Sequence, residues 1–164
     1  MPPRRPGYLS WMPRFLFETD RIPERYIGKA WLVDLLPSLA LAALVSLVVP
    51  EDAHHKAHYD SLLRVLLTVL VGPFVETLLM IPPLLILNRL FGPRIAVLGS
   101  ALLWATLHSL SAPAWGLVVW WGFLILSIAF LTWRRDGLGS AILVVFAIHA
   151  LGNGLAVFTV LMAG

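Results

Sequence analysis

The chain has 164 residues, of which 59% are hydrophobic and only 13% are charged. Soluble domains average about 45–50% apolar and about 25% charged residues. The composition therefore argues against a soluble enzyme, a disordered chain or a nucleic-acid-binding domain, and it favours a single membrane-embedded domain. No cysteine is present, which excludes disulfides, thiol nucleophiles and cysteine-ligated metals.

Residues 1–29 form a polar N-terminal segment that carries nine of the charged residues. If its middle part is helical, Trp11, Phe15 and Leu16 share one face and Arg14 lies on the other. This pattern predicts an interfacial helix on the cytoplasmic surface of the membrane. An irregular tail with scattered aromatic residues is the alternative.

Five apolar segments follow, each close to the roughly 20 residues that a membrane-spanning helix needs. Their interior prolines are tolerable, because neighbouring helices in a membrane satisfy the carbonyl groups that proline frees. The sequence thus predicts an all-α, polytopic membrane helix bundle in residues 30–164, with about five transmembrane helices. The segments are residues 30–49, 62–87, 95–110, 114–133 and 138–162.

Basic residues beside these segments indicate the orientation. They lie in residues 1–29, in the connection with Arg89 and Arg94, and in the connection with Arg134 and Arg135, which share one side if the chain alternates. Because positive charge accumulates on the cytoplasmic side, the N-terminus is predicted inside and the C-terminus outside. Short loops of this kind are typical of a bacterial plasma membrane protein. Since the arginines are spread over three connections, nucleic acid is not expected as a partner.

Four polar side chains lie inside the apolar segments at similar depth. Glu76, His108 and His149 are each 13 or 14 residues from the charged residue that flanks their segment on the predicted cytoplasmic side. At ~1.5 Å per residue this places all three about 20 Å from that flank. Asn153 lies one turn beyond His149 on the same face. A carboxylate inside a membrane is costly unless it has a function or a partner, so a site is predicted where these helices meet.

This set of groups is sufficient to hydrolyse a peptide bond without a covalent intermediate. A glutamate can act as general base towards water, and a nearby imidazole can hold that water and pass on its proton. A second imidazole and an amide can donate hydrogen bonds to the developing oxyanion. A serine nucleophile is disfavoured, because Ser109 lies about 100° around the helix from its neighbour His108.

Two other interpretations of the polar residues stay open. They are interhelical hydrogen bonds without chemistry, or a zinc site with two histidines and one glutamate as ligands. Zinc is disfavoured because no His-Glu-x-x-His motif is present and no second intramembrane carboxylate is expected to act as base. A separate group, His54, His55 and His58, lies in the loop of residues 50–60 and is interpreted as solvated, with a weak metal or pH-sensing role as the alternative.

Three motifs resemble those of a known family. GPFVETLL at 72–79, LWATLH at 103–108 and HALGN at 149–153 resemble, in order and on successive helices, the motifs of the CPBP family. These are the CAAX-prenyl-protease and bacteriocin-processing, or abortive-infection, intramembrane glutamic endopeptidases. The resemblance covers about residues 66–157 and identifies the chain as a divergent member.

The resemblance implies a role for each matching residue. Glu76, with His108, would activate the water, and His149 and Asn153 would stabilise the oxyanion. No metal cofactor would be required, and the substrate would be a membrane-associated protein or peptide. The pattern departs from the family where its second glutamate is Thr77 and its arginine falls on Ile81. These departures leave open a catalytically degenerate member that acts as a membrane immunity or scaffolding protein.

Overall fold

The computed structural model describes residues 8–50 and 59–163, and this part of the chain is helical. A π-helical turn, Leu67–Val71, joins α2 to α3, and short 3₁₀ turns cover Arg14–Phe17 and Arg134–Asp136. The prediction of an all-α bundle is confirmed. The α-helices are α1 (Pro23–Val48), α2 (Leu62–Leu66), α3 (Gly72–Ser109), α4 (Trp115–Trp133) and α5 (Leu138–Ala163).

Four helical segments of the described chain are long and apolar enough to cross a membrane, where the sequence predicts about five. The difference arises in the 48-residue segment Leu62–Ser109, which contains the second and third predicted segments. Gly92 has φ 81° and ψ 172°, so the helix bends there into two arms. Pro82 and Pro83 lie inside the first arm without ending it. The two predicted segments therefore correspond to the parts of this segment before and after the break at Gly92.

The N-terminal segment closes one end of the bundle. The predicted interfacial helix is reduced to the single 3₁₀ turn Arg14–Phe17, in which Leu16 is fully buried, whereas Trp11 is 58% exposed. The Leu16 carbonyl accepts hydrogen bonds from the Tyr26 hydroxyl at 3.0 Å and from the Thr132 hydroxyl at 2.8 Å. These bonds join the start of α1 to the end of α4 through the N-terminal segment.

The three basic connections lie at this same end. Arg135 donates to the Phe17 carbonyl at 3.3 Å, which attaches the α4–α5 connection to the N-terminal segment. Asn88 and Pro93, on either side of the α3 bend, line one cavity together with Arg134. The described basic residues of the N-terminal segment and of these two connections thus share one end of the bundle, in agreement with the positive-inside pattern, whereas Arg64 lies in α2.

Helix α4 is the centre of the bundle. Residues 123–130 are all buried, which is expected of a helix that is hydrophobic on every side. Polar contacts connect α4 to two neighbours: Ser127 donates to the Ser100 hydroxyl of α3 at 3.0 Å, and the Trp121 indole donates to the Val33 carbonyl of α1 at 2.8 Å. The other helices pack around α4 and leave their outer faces exposed.

Those outer faces are strongly apolar. Leu47 is 83% exposed, Leu102 69% and Met162 73%. Exposed apolar surface on this scale is unfavourable in water, and it fits a hydrocarbon surrounding.

Gly116 determines how closely α4 approaches α3. A Cβ atom at this position would overlap the carbonyl oxygen of Ala105 and the hydroxyl of Ser109. We expect Gly116→Ala to destabilise the protein by about 1–3 kcal/mol, because overpacking forces the helices apart. Thermal unfolding in detergent measures the effect. Gly28→Ala is the control, since nothing lies within 4 Å of a Cβ there, and it should be neutral or stabilising. If the two variants unfolded at the same temperature, Gly116 would not determine how closely α4 approaches α3.

The shared basic end predicts the orientation of the chain in the membrane. In a cysteine-less background, an impermeant thiol reagent added to intact cells should label Ser111→Cys and leave Asp136→Cys unlabelled. Both side chains are exposed, at opposite ends of α4. Detergent-treated cells provide the control, in which both should react. Labelling of Asp136→Cys alone would indicate the opposite orientation, with the basic end of the bundle outside.

Candidate active site

Three of the four predicted site residues converge inside the bundle. Glu76 lies in the first arm of α3, His108 at the end of its second arm, and His149 in the middle of α5. The Glu76 Oε2 atom is 3.5 Å from His149 Nε2 and 4.0 Å from His108 Nε2. One carboxylate oxygen therefore faces two imidazole nitrogens contributed by different helical elements.

The α3 bend produces this convergence. Glu76 and His108 are 32 residues apart, which in a straight helix would separate them by about 48 Å. Gly92 lies 16 residues from each of them. Because the two arms fold back at Gly92 and the two residues are equally far from it, both side chains reach the same level of the bundle.

A backbone hydrogen bond fixes the orientation of His108. Its Nδ1 atom is 2.8 Å from the Trp104 carbonyl oxygen. Because a carbonyl can only accept, Nδ1 carries the proton, and Nε2 of the neutral ring presents its lone pair towards Glu76. The 4.0 Å separation between Nε2 and Oε2 is too long for a direct hydrogen bond but suits a bridging water.

His149 also turns its Nε2 atom towards Glu76, but its surroundings favour the opposite tautomer. Its Nδ1 atom is buried and has no hydrogen-bond partner in the described part of the chain. Its Nε2 atom, by contrast, lies 3.5 Å from Glu76 Oε2, so the tautomer with its proton on Nε2 places that proton towards the carboxylate. The two histidine side chains are each 12% exposed and that of Glu76 is 28% exposed. The carboxylate is therefore the more accessible member of the group.

An aromatic wall holds both histidines. The Phe123 ring of α4 lies 5.2 Å from the ring of His108 and 5.5 Å from that of His149, and it stacks on Trp104 at 4.8 Å. Trp115 meets His108 edge-on at 4.7 Å. Sequence reasoning missed Phe123, because an entirely apolar helix gives no sign of which side chain faces a site. This packing limits ring rotation and excludes water behind the imidazoles.

Asn153 is engaged elsewhere. Its Nδ2 atom donates to the Thr68 carbonyl at 2.9 Å, inside the π-helical turn Leu67–Val71. Among the described residues it makes no hydrogen bond with the two histidines or with Glu76. Turns of this π type are common near functional sites, and this one leads directly into the arm that carries Glu76. The oxyanion contact predicted for Asn153 stays a prediction. The bond to Thr68 uses only one of the two N–H groups of its amide.

The two departures from the family pattern have a structural counterpart. Thr77 is 1% exposed, and its hydroxyl is buried without a hydrogen-bond partner among the residues that the structure describes. Ile81 packs against the hydrophobic core. Both side chains face the interior. Because they are uncharged, nothing at these two positions replaces the glutamate and arginine of the family pattern.

Asp34 is a second interior carboxylate that sequence reasoning missed. Its Oδ1 accepts a hydrogen bond from Ser38 at 3.1 Å. A Cβ atom at Gly122 of α4 would lie 3.0 Å from Oδ1, and one at Gly152 of α5 would lie 3.9 Å from Oδ2. The sequence places Asp34 near a helix start at residue 30, but α1 begins at Pro23. The expectation of a single interior carboxylate, used against zinc, was therefore wrong.

Metal ligation is a separate question. Within residues 8–50 and 59–163, no group of three or more His, Cys, Asp or Glu side chains is arranged to hold a metal ion. His54, His55 and His58 lie outside the described residues. The zinc alternative is addressed by experiment below.

Comparison of the chain with protein-family models, with curated proteins and with solved structures finds no match. The likeness of the three motifs to the CPBP family therefore stays a prediction. The geometry of Glu76, His108 and His149 is the observation that bears on function.

Proposed function

We propose that the protein is an intramembrane endopeptidase that hydrolyses a peptide bond of a membrane-associated protein or peptide, using a water activated by Glu76 and His108. The observation that carries the proposal is the convergence of Glu76 Oε2 with two imidazole Nε2 atoms at 3.5 and 4.0 Å. These groups lie inside a bundle with an apolar outer surface, so a substrate in the same membrane can approach laterally.

Glu76 acts as the general base in this scheme. A water between its carboxylate and the lone pair of His108 Nε2 loses a proton to Glu76 as its oxygen attacks the substrate carbonyl carbon. The carbonyl π electrons move onto oxygen and form a tetrahedral intermediate. When the C–N bond breaks, the proton passes to the leaving amine, and the carboxylate is regenerated.

His149 and Asn153 stabilise the oxyanion. With its proton on Nε2, His149 is a donor beside the reacting centre, and Asn153 retains one N–H after its bond to Thr68. Donors that are already oriented cost no reorganisation when the charge develops. Phe123 keeps the His149 ring in place during this step.

The second candidate is a non-catalytic member of the same fold, acting as an immunity or scaffolding protein. Two observations favour it: the position of the family's second glutamate is Thr77, and Asn153 already serves a backbone carbonyl. In that case the polar residues would only join helices.

The proposal includes a location. A bacterial plasma membrane, with the basic end of the bundle in the cytoplasm, accounts for the short connections and the distribution of arginines.

Glu76→Gln tests the base. The amide keeps the shape but cannot accept the proton, so cleavage of a fluorogenic membrane-peptide library should fall by about 10²–10⁴-fold, while the yield of folded protein is unchanged. Glu24→Gln is the control, because Glu24 is exposed in the first turn of α1, and it should retain full activity. Chelators should have no effect.

Two outcomes would replace the proposal. Loss of activity with chelator and recovery with zinc would establish the zinc alternative. Wild-type protein that is folded but cleaves no peptide of the library would favour the non-catalytic candidate.

Asn153→Ala separates an oxyanion donor from a purely structural amide. Loss of an oriented donor should reduce kcat by about 10²–10³-fold, and the double variant with His149→Ala should be much less than additive. Loss of an interhelical hydrogen bond alone should cost about 0.6 kcal/mol of stability and little turnover.

Ser127→Ala is the matched control for this comparison. It deletes another interhelical hydrogen bond, to Ser100 at 3.0 Å, away from the histidines. If Asn153→Ala resembled it, with lower thermal stability and normal kcat, the oxyanion role would be refuted.

A further inference from the structure

A cavity of about 360 Å³ opens at the basic end of the bundle, apart from the candidate active site. It lies where the N-terminal segment, the α3 bend and the α4–α5 connection meet. Its nearest point on the first arm of α3 is Asn88, twelve residues from Glu76, or about 18 Å along the helix. The lining residues are Tyr8, Asn88, Pro93, Leu131, Arg134 and Arg135.

The lining of this cavity is cationic. Among the described residues, no carboxylate lines it, and neither Arg134 nor Arg135 takes part in an ion pair. Arg135 uses one N–H on the Phe17 carbonyl, which leaves most of its five donors available. The side chain of Arg134 makes no hydrogen bond within the described chain. Two adjacent guanidinium groups without counter-charge favour an anionic ligand.

Uncharged donors supplement the arginines. The Tyr8 hydroxyl is buried and has no hydrogen-bond partner in the part of the chain that the structure describes. Burial raises the pKa of Tyr8, an effect larger than the opposite one of Arg135, so the hydroxyl remains protonated. The half-buried Asn88 amide is likewise without a hydrogen bond among the described residues. A buried donor left unsatisfied is unfavourable, and a ligand oxygen would remove that cost.

We propose that this cavity binds a phosphate group, carried either by the headgroup of an anionic phospholipid or by a soluble phosphate compound. Guanidinium groups match the tetrahedral oxyanion with paired, charge-assisted hydrogen bonds. The volume is that of a small-ligand site. The cavity also lies at the end predicted to face the cytoplasm, where anionic headgroups and soluble phosphates are both present. The site is independent of the proposed peptidase activity.

The test uses the full-length protein in maltoside detergent, with its thermal unfolding followed at matched ionic strength. The probes are dihexanoylphosphatidylglycerol, with dihexanoylphosphatidylcholine as the zwitterionic control of zero net charge, and inorganic phosphate, with chloride as the salt control. A bound anion raises the unfolding midpoint as its concentration exceeds its Kd. A rise with inorganic phosphate identifies a soluble phosphate site, and a rise with phosphatidylglycerol alone identifies a lipid headgroup site.

The variants locate the effect. In the double variant Arg134→Gln with Arg135→Gln, the Kd of the effective probe should rise about tenfold or more. The control replaces Arg21 and Arg25 with Gln, which removes equal charge from exposed positions outside the cavity, and it should respond like the wild type. No rise with either probe, or an equal rise in the cavity variant, would overturn the proposal.

A single variant keeps the test decisive if the double variant does not fold. Arg134→Gln removes an exposed side chain that forms no hydrogen bond within the described protein. It should raise the Kd severalfold with the unfolding midpoint of the free protein unchanged. An unaltered Kd would also overturn the proposal.

Discussion

The left-handed backbone at Gly92 is the constraint on which the rest of this protein depends. A residue with φ 81° is readily accommodated only as glycine, although nothing within 4 Å would obstruct a Cβ there. The requirement is therefore conformational and not steric. By reversing α3 at its midpoint, Gly92 sets Glu76 and His108 opposite each other and directs the connection with Arg89 and Arg94 to the basic end. A helix continuing straight through this point would abolish both arrangements.

Helix α4 converts that reversal into a defined site. It packs against both arms of α3: Ser127 bonds to Ser100 in the second arm and lies 3.6 Å from the Met80 sulfur in the first. One helical turn earlier, Phe123 separates the two imidazoles from the core while touching both. The same helix that is buried on every side over residues 123–130 therefore also fixes the angle at which the histidines face Glu76. Helix α4 therefore contributes both to the stability of the bundle and to the geometry of the candidate site.

Much of the candidate site could be predicted from the sequence, because charged residues mark the ends of helices and residue counts then give depth. Equal distances from the flanking charges predicted that Glu76, His108 and His149 would meet. Side chains without polarity could not be placed this way, which is why Phe123 was missed. The contact of Asn153 with Thr68 depends on a π-helical turn that arises from tertiary packing, and no local pattern indicates it. Asp34 was misjudged because the start of α1 was placed seven residues late.

The two interior carboxylates differ in the groups that surround them. Asp34 accepts one hydrogen bond, from Ser38 one turn along its own helix, and its carboxylate lies close to Gly122 of α4 and Gly152 of α5. Glu76 accepts no hydrogen bond from a hydroxyl group among the described residues. Its side chain faces two imidazoles and is 28% exposed. Its polar contacts among the described residues are therefore with groups that can themselves exchange protons. A membrane bundle can tolerate either carboxylate, but of the two only Glu76 faces imidazole side chains, and this contact is what makes it the candidate base.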